Sequence, residues 1–509
     1  MDNLENNKTN QPAEEVKTSQ SDTPSSKIDN FFSITKRGST VKTEIIAGIV
    51  TFLAMAYILT LNPSLIVGFD RPVNWNSVFI ATALGAFVGT ALMAFLAKMP
   101  LAQAPGLGLN SMVGGLIGGG LIGYSLSFGA AMLLVLISGV LFLMLSILKL
   151  QGKSLRELIF DAIPESVRGA ISVGIGLFIA FIGLWLSGII VHPDPTKSTN
   201  PLELVSLSTY SKATLAGPAV CLIGFAAIAL LAHFKVKAAV IIGIAIATLV
   251  GIPLGVTTWS NESWAFWEHF EGFFSFDAAK GGTFLAPFWD INFDGASLIS
   301  CIMIVITFCM IDMFDTMGTV VGCCTPVGLL DKDGKPYSYD GIMKSDSIAT
   351  CAGALFGTST VTTFVESGAG VAAGGRTGLT ALTTAILFLL SILLLPVFAS
   401  IPGPAVDAAL LYVGCLMLKG AKNIKIDSVK DFVPAFLTIA MMPLTYSITT
   451  GIGLGILAYV GIDLVEYIVG AIKYAFSKKA EDKPVWDMSV ILIIIAVLFL
   501  IYFFVPTTF

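Results

Sequence analysis

The chain has 509 residues, 55% of them hydrophobic and 12% charged, with a mean hydropathy of +0.85 and a formal net charge of −5. Soluble domains carry roughly 25% charge, so a soluble enzyme or regulatory domain is excluded. An acidic balance spread over many loops points to no nucleic-acid partner. What remains is an all-α integral membrane protein that crosses the lipid bilayer many times.

Residues 1–30 are rich in Asn, Glu, Lys, Ser and Thr and poor in apolar side chains, which predicts a disordered cytoplasmic tail over 1–35. No signal-peptide pattern is visible there, so the first span is expected to insert as a signal anchor. Apolar runs such as Glu44–Ile66, Val78–Ala97, Met132–Leu148 and Val490–Val505 follow. About fourteen or fifteen runs reach or approach the ~18–20 residues that cross a bilayer.

Basic residues gather at Lys149–Arg168, Phe234–Lys237, Lys332–Lys344, Arg376, Lys419–Lys430 and Lys473–Lys483, whereas Asp70–Asn76, His192–Ser211 and Thr257–Asp294 are poor in them. Lys and Arg collect in cytoplasmic loops. That pattern predicts a cytoplasmic N-terminus and a Trp-rich external segment over 257–293. Two hydrophobic halves, about Thr43–Val256 and Phe293–Tyr474, then hold seven spans each, and an odd number inverts the second half. The run within 486–509 is a further apolar segment, and whether it crosses fully is left open.

Each half has one segment that makes a poor continuous helix. In the first, Pro105, Gly106 and Gly108 interrupt the hydrogen-bond ladder before Asn110; in the second, the β-branched run Thr360–Thr363 favours extended backbone before Glu366. Irregular backbone at membrane depth is tolerated only against protein or a wet cavity. The two segments are therefore expected to meet at a binding site, with half-helix N–H groups turned toward a ligand.

Carboxylates cost at least ~2.5–3.5 kcal/mol each inside a bilayer and usually serve function there. Asp312 and Asp315, three residues apart, are read as sharing a helix face with Thr319 one turn beyond. An acid that caps a broken helix or pairs with a distant Lys or Arg is the structural alternative. Glu366, before Ser367 and Gly368 at the start of a half-helix, suits ring N–H or exocyclic amine donors and proton exchange. Asn110 suits a heterocycle edge, although an amide that merely satisfies broken backbone is its rival. Arg376 is read as a cytoplasmic anchor.

Other motifs fail. Gly152-Lys153-Ser154 has Ile147 where a phosphate loop needs glycine. Asp331–Gly334 reads as a turn, and Asn261–Ser263 is only a formal glycosylation acceptor. His192, His233 and His269 are isolated, and the seven cysteines fall almost wholly in apolar runs. No catalytic residue, metal site or cofactor is expected.

Several strings resemble one family. Thr51–Ser64, Ala104-Pro-Gly-Leu-Gly-Leu-Asn110, Phe314-Asp-Thr-Met-Gly-Thr319, Glu366–Leu379 and Pro443-Leu-Thr-Tyr-Ser447 are similar to segments of the azaguanine-type purine permeases, a branch of the nucleobase:cation symporters. The resemblance runs from about Phe31 to the C-terminus. It implies a uracil-permease-like fold: two inverted repeats of seven spans, with short strands in the third and tenth. The core domain would comprise 43–166 and 294–400, and the gate domain 167–256 and 401–475. Binding positions would be Asn110, Asp315 and Glu366, with Thr319, Ser367 and Gly368 beside them. The coupling proton would lie on Glu366, Asp315 or Asp312. The implied activity is import of hypoxanthine, guanine or adenine by proton symport across the plasma membrane. Small-residue-rich gate spans permit a homodimer. Rival readings are an anion transporter on the same fold, which two acids disfavour, and a membrane enzyme, for which no nucleophile–base pair is visible.

Overall fold

In lipid the backbone has no hydrogen-bond partner but itself, so a chain this apolar folds as helices. The computed structural model describes residues 27–68, 73–118, 125–150, 153–191, 205–207, 215–236, 238–260, 262–293, 296–324, 327–330, 336–424, 427–477, 486 and 488–504. The expectations placed on His192–Ser211 and Asp331–Gly334 lie mostly or wholly outside the described residues, as do Asn261 and the first three residues of Asp70–Asn76.

Helix α1 (Lys27–Phe32) buries Phe32, within the 1–35 segment expected to be a disordered tail. A tail rule based on mean composition misses Phe31-Phe32, which pack on Phe95. Next come α2 (Val41–Met55), whose first turn is capped by the Thr40 side chain accepting from Thr43 N–H, and its continuation α3 (Ile58–Val67). α4 (Trp75–Leu92), strand β1 (Gln103–Pro105), α5 (Leu107–Ile117) and α6 (Phe128–Ile147) follow. A hairpin of β2 (Lys149–Leu150) and β3 (Lys153–Ser154) leads into the short amphipathic α7 (Leu155–Ala162), then α8 (Glu165–Leu186). β4 (Ile190–Val191) pairs with β5 (Ser206–Leu207) ahead of α9 (Ala216–His233) and α10 (Ala239–Gly251).

The segment after α10 is a structured cap rather than a free loop. It carries α11 (Phe266–Phe273), buries Phe273 and Thr283, and bonds Leu285 N–H to Leu355 O at 2.8 Å and Gly129 N–H to Asp290 at 2.8 Å. His269 is not isolated: its ring lies 2.9 Å from Ser263 O and 3.6 Å from Glu262. The second half runs α12 (Leu298–Cys324), α13 (Tyr339–Phe356), β6 (Val361–Thr363), α14 (Ser367–Ala372), α15 (Gly378–Leu390), α16 (Leu395–Ala399), α17 (Gly403–Met417), α18 (Val429–Leu444) and α19 (Ile448–Ser477). The last helix, α20 (Val490–Phe504), packs on α19, α12 and α7. Among the described residues nine helices are long and apolar enough to cross a membrane, and three shorter apolar ones accompany them.

The helices sort into two packing groups. α2, α4, α6, α13 and α15 pack together around the strands, while α8 packs on α17 and α18, α18 on α19, and α9 on α10 and α17. Within the first group both interrupted segments lean on the first span through glycine. A Cβ at Gly114 would fall 1.9 Å from Leu65 O, and one at Gly370 would fall 2.0 Å from Thr51 Oγ1. Only a bare backbone fits so close, and that contact seats each half-helix. Glu44 adds a clasp: its buried carboxylate accepts from Arg376 N–H, Thr377 and Thr380, holding the start of α15 onto α2.

Candidate transport site

The two interruptions meet as a pair of short strands. β1 and β6 run antiparallel with Gln103 opposite Thr363, Ala104 opposite Thr362 and Pro105 opposite Val361. Outside the ladder, Gly106 N–H reaches Thr360 O at 3.0 Å and Phe364 N–H reaches Ala102 O at 3.0 Å. The backbone freed by breaking both helices is thus satisfied by the other break, as buried polar groups require. Because the strands are antiparallel, α5 and α14 leave the pair from its opposite ends.

Two carboxylates stand at these exits. Glu366 is the residue immediately before α14, half-buried, and its Oε1 accepts a 2.7 Å hydrogen bond from Tyr57 Oη at the α2–α3 junction. Asp315, on α12, is also half-buried, and its Oδ2 would lie 3.8 Å from a Cβ at Gly106, the residue before α5. Asp315 has no hydrogen-bond partner among the described residues. Asp315, Glu366 and Tyr57 lie within electrostatic reach of one another. The second packing group closes the opposite side: a Cβ at Gly108, in the first turn of α5, would meet Ile175 of α8 at 2.9 Å and Ile448 of α19 at 3.6 Å. Acceptors on one side and apolar side chains on the other suit a flat, neutral molecule with N–H donors on its edge.

The remaining expected residues divide. Thr319 is on α12 one turn past Asp315 and is 8% exposed; Gly368 follows Glu366, 3.6 Å in Cβ position from Cys323 Sγ. Ser367 is fully buried, and its hydroxyl accepts from Ala102 N–H at 3.0 Å, so it staples the edge of β1 and does not face a ligand. Asn110 is fully buried too, donating to Pro105 O at 3.3 Å and accepting from Ser359 Oγ. Here it fills the backbone-satisfying role weighed as its alternative, and it reaches a ligand only if the Ser359 bond opens. Arg376 caps the end of α14 through Val371 O at 2.6 Å and Gly375 O at 2.8 Å.

Asp312 has a different setting from Asp315. Three residues leave a helix about 60° short of a full turn, so the two acids meet different neighbours while staying within electrostatic reach. It is 2% exposed and accepts from Thr350 of α13 at 3.1 Å. It belongs to a buried polar cluster behind the strand pair. There Asp346 Oδ1 accepts from Thr316 at 2.7 Å and Gln103 at 3.2 Å, while Asp346 Oδ2 pairs with Arg156 at 3.3 Å. Sequence reasoning missed Tyr57, Gln103, Asp346 and Arg156. Tyr57 carried a signal, a hydroxyl in the middle of an apolar run; Arg156 carried none, since it sits among the basic residues of a connecting segment.

A bilayer-length helical scaffold, two helix breaks that complete one another, and acids at both exits define a membrane transporter. The comparisons name the family. The residues 42–454 match the model of the Xan_ur_permease group, described as a permease family, and the chain belongs to it. It is 35% identical over 486 residues to the guanine/hypoxanthine permease PbuO of Bacillus subtilis, covering 93% of this chain and 100% of that one. It is 34% identical to the adenine permease AdeP of Escherichia coli, covering 85% and 89%. Its fold is similar to the transmembrane domain of the cyanobacterial bicarbonate transporter BicA, with a TM-score of 0.57 at 14% identity, covering 81% of this chain and 97% of that one. The protein is therefore a multi-pass membrane transporter of the purine-permease branch and not an enzyme.

Proposed function

We propose that this chain imports purine nucleobases across the plasma membrane by proton symport, with its N-terminus in the cytoplasm. The single observation that carries the reading is the pair of half-buried carboxylates, Asp315 beside Gly106 and Glu366 ahead of α14, at the two exits of the strand pair. Relatives that bear the names of guanine/hypoxanthine and adenine permeases supply the substrate class. The base is held edge-on, its N–H groups donating to Glu366 and Asp315, its faces against Ile175 and Ile448. Tyr57 orients the Glu366 carboxylate through its hydrogen bond. A neutral base adds no charge to this site, so the charge that drives uptake is carried by a proton on one of the two acids.

The spans form two inverted repeats of seven, with β1 in the third and β6 in the tenth. The group around the strands is the core (43–166 and 294–400), which moves against the gate (167–256 and 401–475) to alternate access. The driving force suffices. One charge crossing ~100 mV releases ~2.3 kcal/mol and one pH unit adds ~1.4 kcal/mol, roughly several-hundred-fold accumulation per proton.

Uptake of labelled hypoxanthine in permease-deficient cells tests this reading, with Glu366→Gln and Asp315→Asn alongside. Expected are competition by purine bases but not by bicarbonate or sulfate, collapse of accumulation by a protonophore, and loss of uptake in both variants. Full activity in both variants removes the site assignment; indifference to the protonophore removes proton coupling.

A further inference from the structure

Arg156 is the one basic side chain among the described residues that an ion pair buries almost completely: it is 1% exposed and its partner Asp346 is likewise inaccessible. Its guanidinium lies 3.7 Å over the ring of Phe142 on α6, and its Nη2 is 3.3 Å from Asp346 Oδ2 on α13. Arg156 sits on α7, the short helix that joins α6 of the group around the strands to α8 of the other group. At the other oxygen of Asp346, Thr316 and Gln103 donate, and Thr316 also shares a 2.7 Å hydrogen bond with Thr362 of β6. Thr316 is the neighbour of Asp315. An unbroken polar path thus runs from beside the ligand acid, through both strands and Asp346, to the connector between the two groups.

The path is also incompletely satisfied. Arg156 Nε and Asp312 Oδ1 are both buried without a hydrogen-bond partner, and the two residues lie within electrostatic reach of each other. An orphaned donor and an orphaned acceptor in one cluster are the groups that a second arrangement of the guanidinium would pair.

We propose that Arg156 is a positioning residue for transport: through Asp346 it ties the connecting helix α7 to the strand pair, so that rearrangement at the site is passed on to α8. The inference rests on the purine-transport reading above. Its test uses the full chain, purified and reconstituted, with Arg156→Lys and the charge-balanced double variant Arg156→Met/Asp346→Asn. Binding of labelled hypoxanthine and the maximal uptake rate are measured separately.

The double variant is expected to bind within about threefold of wild type while its maximal rate falls about tenfold or more, since only the step after binding uses the tie. Arg156→Lys keeps the charge and is expected to recover the rate to within about threefold. A wild-type rate in the double variant, or binding and rate lost in parallel, overturns the proposal, as does a Lys variant no faster than the double. Should the double variant fail to fold, hydrogen exchange of wild-type residues 155–162 decides. A change in α7 protection on adding hypoxanthine supports the tie, and unchanged protection overturns it. Wild-type protein that binds no purine sinks the functional reading first; the tie alone fails when wild type binds and transports but the variants show no split.

Discussion

The front and back of the strand pair use carboxylates in opposite ways. In front, Asp315 and Glu366 are half-buried, with one hydrogen bond between them, from Tyr57. Behind, Asp346 is fully buried and takes hydrogen bonds from Thr316, Gln103 and Arg156, while Asp312 is held by Thr350. The two acids of the proposed site are thus half-exposed, and the two behind are sealed in the fold. Acid content alone therefore does not mark a ligand site in a membrane; unfilled acceptors on carboxylates that are only half-buried are the better sign.

Substitutions can break or sharpen that contrast. The largest effect belongs behind the strands. Arg156→Met leaves a buried carboxylate uncompensated and is expected to cost ~3–5 kcal/mol, read as a lower Tm in detergent, with part of it restored by adding Asp346→Asn. A Tm unchanged by the single variant would place Asp346 in contact with water. Next comes the seating of the front: Gly370→Ala drives a methyl against Thr51 Oγ1 and Ala47 O, and overpacking of this kind costs ~1–3 kcal/mol. Thermal melting and hypoxanthine affinity should fall together, because α14 carries Glu366 with it.

A smaller change follows in front from Tyr57→Phe. It removes one hydrogen bond, worth ~0.5–1.5 kcal/mol net. Substrate affinity should drop several-fold while Tm holds; an unchanged affinity would free Glu366 from Tyr57. Smallest is Lys149→Ala at the exposed pair with Asp340, 2.7 Å apart and each about half exposed. Solvent screens such pairs, so melting and uptake should both match wild type within error.

Much of this organisation is legible from residues read locally. Pro105, Gly106 and the β-branched run Thr360–Thr363 disturb a helix wherever they stand, so the two interruptions and the acid that follows the second could be read directly. What joins them could not. Arg156 lies within a basic connecting segment, and its partner Asp346 is 190 positions away; nothing in the periodicity of α7 announces a buried guanidinium. The surroundings of Asp312 were not legible, because a spacing of three places two residues on neighbouring sides of a helix without saying which neighbour each side meets. Asn110 and Ser367 show the same limit: the Asn110 oxygen accepts from Ser359 and the Ser367 hydroxyl accepts from Ala102 N–H, each across to the other break, a partner that only the fold supplies. The structured N-terminal turn was hidden by averaging, since two phenylalanines decide its packing.

The proposed site rests on two half-buried carboxylates, Asp315 without a hydrogen-bond partner among the described residues and Glu366 with one, from Tyr57. Equilibrium binding of labelled hypoxanthine to the purified chain, beside Glu366→Gln and Asp312→Asn, probes this most directly. The account expects binding to fall about tenfold or more with Glu366→Gln and to survive Asp312→Asn nearly intact. Equal affinity in Glu366→Gln and wild type, or a loss confined to Asp312→Asn, would contradict it.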